Sequence, residues 1–236
     1  MYIVNSLRTD GFGAQYQTII FTLLFSELEK LNFAYRPFTK MEHNYDLDSY
    51  FLEKKEELIN VINHYPNYNT IPQSQIINFD LSLMYKKVES NLDYCLNTKT
   101  FLDLQKYFFE NKTLKSSDKG KTVSLHIRRP NIFDIGDYGY TKDEYFYNAI
   151  NEIRKKYSDI SKIKIYSQGS EKDFEGYKDV ELHLNESIEK TFTDLVLSDI
   201  LIMSKGSFSY CAGLLCKGDV YYLPFWHNPK KTWLQF

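Results

Sequence analysis

The chain has 236 residues, of which 43% are hydrophobic and 25% are charged, as in an ordinary globular protein that buries a sizeable core. Its formal net charge of −2 argues against a general nucleic-acid binder, because such proteins present a basic surface. The three cysteines suggest neither a disulfide framework nor a zinc site. The sequence shows no signal-peptide pattern and no run of about 20 apolar residues, so we expect a cytoplasmic protein without a membrane span.

The first half of the chain opens with strand, turn and helix. A short strand over residues 2–5 precedes a glycine turn at 9–13, and apolar residues then recur at helical spacing from 14 to about 30. Further predicted elements are a strand at 33–35, helices at 48–63, 81–89 and 99–110, and a loop at 64–75. The polar segment 113–120 is the best candidate for a boundary, which predicts domains over 1–118 and 119–236.

The second half alternates between strands and helices. Strands are predicted at 122–127, 162–166, 180–184, 200–203 and 220–223, and helices at 142–157 (with Thr141 as N-cap), 187–197 and 208–216. This alternation indicates a parallel sheet covered by helices on both faces. The fold class is therefore α/β, and we expect two Rossmann-like domains facing a cleft.

Two arginines follow a histidine where the first strand of the second half ends. Ligands of open α/β sheets bind beyond the carboxyl ends of the strands, so His126, Arg128 and Arg129 are expected at the mouth of a ligand crevice. Arginine is always charged and presents a planar fork of donors to phosphate. Alternatively, the arginines form ordinary ion pairs with Asp134 or Asp137, and His126 is a structural residue.

A second strand end leads into small polar residues and then a helix. Ser204, Gly206, Ser207 and Ser209 surround this helix start, where free backbone N–H groups favour phosphate. The alternative is that Ser207 merely caps the helix. The turn around Gly11 and Gly13 is only a fragment of the dinucleotide signature G-x-G-x-x-G, but it lets the backbone approach a ligand.

Loop carboxylates after the arginines are candidates for a catalytic base. Asp134 and Asp137 lie in a glycine-containing loop directly after the predicted phosphate site. A group-transfer enzyme needs such a base near the acceptor hydroxyl. Taken singly, each residue is more often a solvated loop acid than a catalytic base.

With these segments in order, the chain resembles the fucosyltransferase superfamily, which has the GT-B fold. Residues 11–15 (Gly-Phe-Gly-Ala-Gln) are similar to the glycine turn of that family. Residues 126–129 (His-Ile-Arg-Arg) are similar to its H-x-R-R motif, and residues 204–209 (Ser-Lys-Gly-Ser-Phe-Ser) to its Ser-Ser-Phe-Ser segment.

The resemblance implies an inverting transfer of fucose from GDP-fucose to a glycan hydroxyl, without a metal. Arg128 would bind the β-phosphate and stabilise the leaving diphosphate. Our mechanistic hypothesis adds a carboxylate base, with Asp137 as first and Asp134 as second choice. The other implied donor-binding residues are His126, Arg129, Ser204, Ser207, Phe208, Ser209, Asp194, Asp199, Gly11, Gly13 and Gln15. Two alternatives stay open: another nucleotide-sugar donor, or a non-catalytic module that binds a nucleotide or glycan, which Asn131 and Ala14 favour because the family often has Asp and Asn there.

Overall fold

The computed structural model of the protein describes residues 1–44, 47–112, 120–129 and 140–235. It divides into two compact units, Met1–Thr113 and Leu114–Phe236. The boundary predicted at residue 118 lies outside the described residues. Both units combine helices with parallel strands, which confirms the predicted α/β class. Among the described residues, no helix has the length and apolar character needed to cross a membrane.

The N-terminal unit is built on one long buried helix. Strands β1 (Tyr2–Val4) and β2 (Asn32–Ala34) pair in parallel and are connected by α1 (Phe12–Glu29). Helix α1 is buried on most of its surface, because α3 (Leu81–Ser90), α4 (Leu92–Cys95) and α5 (Lys99–Glu110) pack around it. Helix α2 (Phe51–Ile59) packs on α5. Helix α4 was not predicted, because its 4 residues are too few to show a periodic pattern.

The C-terminal unit contains a five-stranded parallel sheet in the order β5-β4-β3-β6-β7. Its strands are β3 (Lys121–Ile127), β4 (Ile160–Ser167), β5 (Glu181–Leu184), β6 (Ile200–Ile202) and β7 (Asp219–Tyr221). Its helices are α6 (Asp143–Lys156), α7 (Ile188–Val196) and α8 (Ser207–Leu215). The predicted alternation of strands and helices is confirmed.

The strand order reverses beside β3. From β3 the chain passes through α6 to β4 and β5, and then returns through α7 to β6 on the other side. Parallel crossovers are right-handed, so α6 and α8 lie on opposite faces of the sheet. Val123, Leu125 and Ile127 of β3 pack with α6 in one apolar cluster. The order reverses between the carboxyl ends of β3 and β6, which is the position where ligands of such sheets bind.

The start of helix α6 differs from the prediction. Lys142, not Thr141, is the N-cap residue, and no side chain caps the helix. Asp143 and Glu144 in the first turn stabilise the start of α6, because their carboxylates interact favourably with the positive end of the helix dipole. The predicted N-cap role of Thr141 is therefore wrong.

Candidate functional site

Arg128 follows β3 and reaches the start of α8. The residue before α8 is Gly206, whose φ of 146° lies in the region that favours glycine. A Cβ atom placed on Gly206 would lie 3.3 Å from Nη1 of Arg128. The guanidinium group thus lies directly beside the helix start, and two segments that are distant in the sequence meet at the carboxyl edge of the sheet.

The start of α8 has no side-chain cap. Gly206 occupies the N-cap position, and Ser207 is the first helical residue. Its hydroxyl has no hydrogen-bond partner among the described residues. The alternative that Ser207 caps the helix is therefore wrong. Because N–H groups in a first helical turn lack intrahelical partners and carry partial positive charge, this end together with Arg128 can bind an anion.

His126 lies beside Arg128 in a neutral form. Its Nδ1 is 3.0 Å from Oγ of Ser204, and its ring centroid is 5.1 Å from that of Phe208. Burial, and secondarily the positive charge of Arg128, lower the pKa of His126 to about 4. At neutral pH the histidine therefore holds Ser204 in place without adding charge, and Arg128 supplies the positive charge of this group.

Two members of the predicted serine-rich segment have structural contacts. Ser209 is fully buried, and its hydroxyl donates to the carbonyl oxygen of Ser204 at 2.9 Å. The ring centroid of Phe208 lies 5.1 Å from that of His126 and 5.4 Å from that of Phe192. Ser209 thus closes the turn that leads into α8, and we do not include it among the proposed phosphate contacts.

Arg129 does not join Arg128. Its Nη2 lies 2.7 Å from Oδ1 of Asp143 in α6, and its guanidinium carbon lies 4.9 Å from the ring centroid of Phe174. Consecutive residues of an extended chain point to opposite faces, so Arg129 lies on the α6 side while Arg128 faces α8. Of the two arginines that were expected to bind one diphosphate, Arg128 lies beside the start of α8 and Arg129 does not.

The two predicted acidic contacts lie elsewhere. Asp199 precedes β6, and its Oδ2 accepts the backbone N–H of Thr122 at 2.8 Å. It is thus at the amino edge of the sheet, and β6 separates it from Ser204. Asp194 in α7 accepts hydrogen bonds from the Tyr166 hydroxyl at 2.8 Å and from Lys190 Nζ at 3.0 Å. We therefore leave Asp199 out of the site. Asp194 lies in α7, and the donor contact predicted for it remains a prediction.

The glycine turn belongs to the N-terminal unit. Gly11 has extended backbone geometry, and a Cβ placed on it would lie 2.8 Å from Nε2 of His43. Nε2 of Gln15 donates to the carbonyl oxygens of Asp10 at 2.6 Å and Lys40 at 2.9 Å. Gln15 therefore stabilises the turn itself. The donor contacts predicted for Gly11, Gly13 and Gln15 remain predictions.

The predicted catalytic bases lie outside the described residues. Asp134 and Asp137 both belong to the segment 130–139. Their role as proton acceptors remains a prediction from the sequence.

No protein-family model and no curated protein sequence matches this chain. Among solved structures, the fucosyltransferase NodZ from Bradyrhizobium is similar with a TM-score of 0.43 and 11% identity, over 91% of this chain and 93% of that chain. The E. coli heptosyltransferase WaaC with ADP has a TM-score of 0.49 and 12% identity, over 99% and 92%. POFUT1 in complex with GDP-fucose has a TM-score of 0.42 and 11% identity, over 91% and 93%.

Proposed function

We propose that the protein is an inverting glycosyltransferase that transfers a sugar from a nucleotide sugar to a hydroxyl group of a glycan. The donor that we propose first is GDP-fucose. One observation carries the proposal: Arg128 lies against the uncapped start of α8, at the point where the strand order reverses. This position and this chemistry suit the diphosphate of a nucleotide sugar.

The proposed mechanism follows from where charge develops. As the acceptor oxygen attacks the anomeric carbon, the bond from that carbon to the diphosphate breaks, and negative charge grows on the leaving phosphate. The guanidinium of Arg128 and the N–H groups of α8 would stabilise that charge, and no metal ion is part of the proposal. The acceptor proton passes to a carboxylate, with Asp137 as first and Asp134 as second choice. Attack opposite the leaving group inverts the anomeric configuration.

The choice of GDP-fucose is supported by the sequence resemblance. Two of the three similar segments, residues 126–129 and 204–209, supply the residues that meet at this edge. Other GDP- or UDP-linked hexoses and deoxyhexoses share the diphosphate and differ only in base and sugar. A non-catalytic nucleotide-binding module would use the same contacts.

Substitution of the two neighbouring arginines tests the diphosphate site. We expect Arg128→Gln to weaken GDP binding about ten- to hundredfold, since a hydrogen bond to a charged group contributes about 1.5–3 kcal/mol. Arg129→Gln removes the same charge one residue away but should change the affinity less than about threefold, because Arg129 is paired with Asp143. Isothermal titration calorimetry with GDP measures both. Equal losses in the two variants would contradict the assignment of Arg128.

A second measurement separates the alternatives. Thermal unfolding with GDP, UDP and ADP ranks the bases, since a ligand at about 100 times its Kd adds roughly 2.7 kcal/mol of stability. Incubation with GDP-fucose, followed by assay of released GDP, then tests catalysis. If GDP-fucose binds but no GDP is released, with or without glycan acceptors, the protein is a binding module and not a transferase.

A further inference from the structure

A small cavity lies at the carboxyl edge of the N-terminal sheet. It is formed where β1 and β2 end and α1 begins, and its lining includes Asn5, Arg8, Gln15 and Arg36. It is a small recess that opens to solvent. A whole nucleotide does not fit in it, so a ligand would enter it with a single functional group.

Arg36 is held firmly at this cavity. Its backbone N–H donates to Oδ1 of Asn5 at 2.8 Å, and its carbonyl oxygen accepts Nδ2 of Asn5 at 2.9 Å. Asn5 is itself only 5% exposed. The guanidinium carbon lies 4.5 Å from the ring centroid of Tyr68. Both ends of the residue are thus positioned before any ligand arrives.

Within the described part of the chain, no carboxylate neutralises the positive charge of Arg36. Nε of Arg36 is buried and has no hydrogen-bond partner there, and no described carboxylate forms an ion pair with this side chain. The other arginine of the cavity, Arg8, is paired with Asp10, which raises its pKa further. Arginine cannot lose its proton at physiological pH. A buried donor on such a cation is unfavourable until an anion binds it.

We infer that this cavity binds the carboxylate or phosphate group of a small molecule, with Arg36 as the principal contact. Both groups match the planar fork of a guanidinium. The inference concerns a site in the N-terminal unit and goes beyond the proposed donor site around Arg128. It does not depend on that donor site, because anion binding here needs no nucleotide.

The test compares anionic and neutral probes on the whole protein. We expect glucuronate and glucose 6-phosphate to bind saturably and glucose not to bind, and the tighter of the two anionic probes identifies carboxylate or phosphate as the preferred group. Arg36→Gln should weaken anion binding at least tenfold. Lys86→Gln, which removes the same charge from an exposed position on α3, should bind like the wild type.

A control distinguishes this site from the donor site. GDP affinity should be unchanged in Arg36→Gln and reduced in Arg128→Gln. Glucuronate affinity should be reduced in Arg36→Gln and unchanged in Arg128→Gln. NMR titration of the Arg36 Nε–H resonance in the wild-type protein provides a measurement that needs no variant. The inference is overturned if anions leave that resonance unmoved, if Arg36→Gln binds them as the wild type does, or if GDP binding falls in Arg36→Gln.

Discussion

At the scale of single residues, two neighbouring arginines at the carboxyl edge of the C-terminal sheet have different surroundings. Arg128 and Arg129 have the same charge, but one faces the start of α8 and the other binds Asp143. Beside Arg128, burial keeps His126 neutral, so the histidine contributes contacts without contributing charge. Arg128 therefore supplies positive charge beside a histidine that is neutral.

The neutral state of His126 predicts a pH dependence of stability. Its pKa is about 4 in the folded protein, below the ordinary value of 6.5, so between these values the unfolded chain binds the extra proton. The stability contributed by neutral His126 is complete above pH 6.5 and is lost as the pH falls toward 4. At pH 4.5 we expect a loss of about 2–3 kcal/mol of unfolding free energy.

The variant His126→Gln isolates this contribution, because glutamine does not titrate. Urea unfolding at pH 7.5 and 4.5 should show a smaller acid-side loss in the variant than in the wild type, by about 2–3 kcal/mol. The same loss in both proteins would mean that His126 is not held neutral by its surroundings.

At the scale of elements, the two serines at the start of α8 differ in role although the sequence presents them alike. The Ser207 hydroxyl is unpartnered among the described residues, whereas the Ser209 hydroxyl closes the turn onto Ser204. Gly206, at a positive φ, brings the backbone close to Arg128. A short strand, a tight turn and a helix start therefore form the anion-binding element together.

This difference predicts opposite effects of two matched substitutions. Ser207→Ala should reduce GDP affinity about five- to tenfold and leave thermal stability unchanged, because it removes only a hydrogen bond to the ligand. Ser209→Ala should lower the unfolding free energy by about 1–2 kcal/mol and leave GDP affinity within about threefold, since it leaves a buried carbonyl without its donor. Calorimetric titration and thermal unfolding of both variants measure the two effects. The assignment is wrong if the effects are exchanged.

At the scale of the whole molecule, the chain contains two units that each place polar residues at the carboxyl edge of a parallel sheet. Helices begin at that edge in both, α1 in the N-terminal unit and α8 in the C-terminal unit. The proposed donor site and the proposed anion cavity therefore have the same position relative to their strands. In each, an arginine within two residues of a strand end supplies positive charge, Arg36 after β2 and Arg128 after β3.

Hydrogen exchange over the whole chain tests the placement of the donor site. With saturating GDP, we expect amide exchange to slow at the ends of β3 and β6 and at the start of α8. It should not slow at the amino edge of the same sheet, around Asp199, whose carboxylate is bound to Thr122. Protection at the amino edge, without protection near Arg128, would contradict the proposed site.

Much of this organisation was predictable from the sequence by itself. Apolar spacing predicted the α/β class and every strand of the C-terminal sheet, because burial on sheets and helices imposes periods of 2.0 and 3.6 residues. The pattern also predicted that residues 126–128 and 204–207 would lie at strand ends, since turn residues interrupt the apolar runs there.

Only the tertiary structure decided which of those polar residues have partners within the fold. The pairing of Arg129 with Asp143 and the contact of Asp199 with Thr122 at the opposite edge both join segments that local patterns treat separately. Whether Arg128 and Arg36 are neutralised within the protein likewise depends on the side chains that folding brings next to them. Hydrophobic periodicity indicates which face of a helix or strand is buried. The hydrogen-bond and ion-pair partners of a polar side chain depend on which segments the fold brings together.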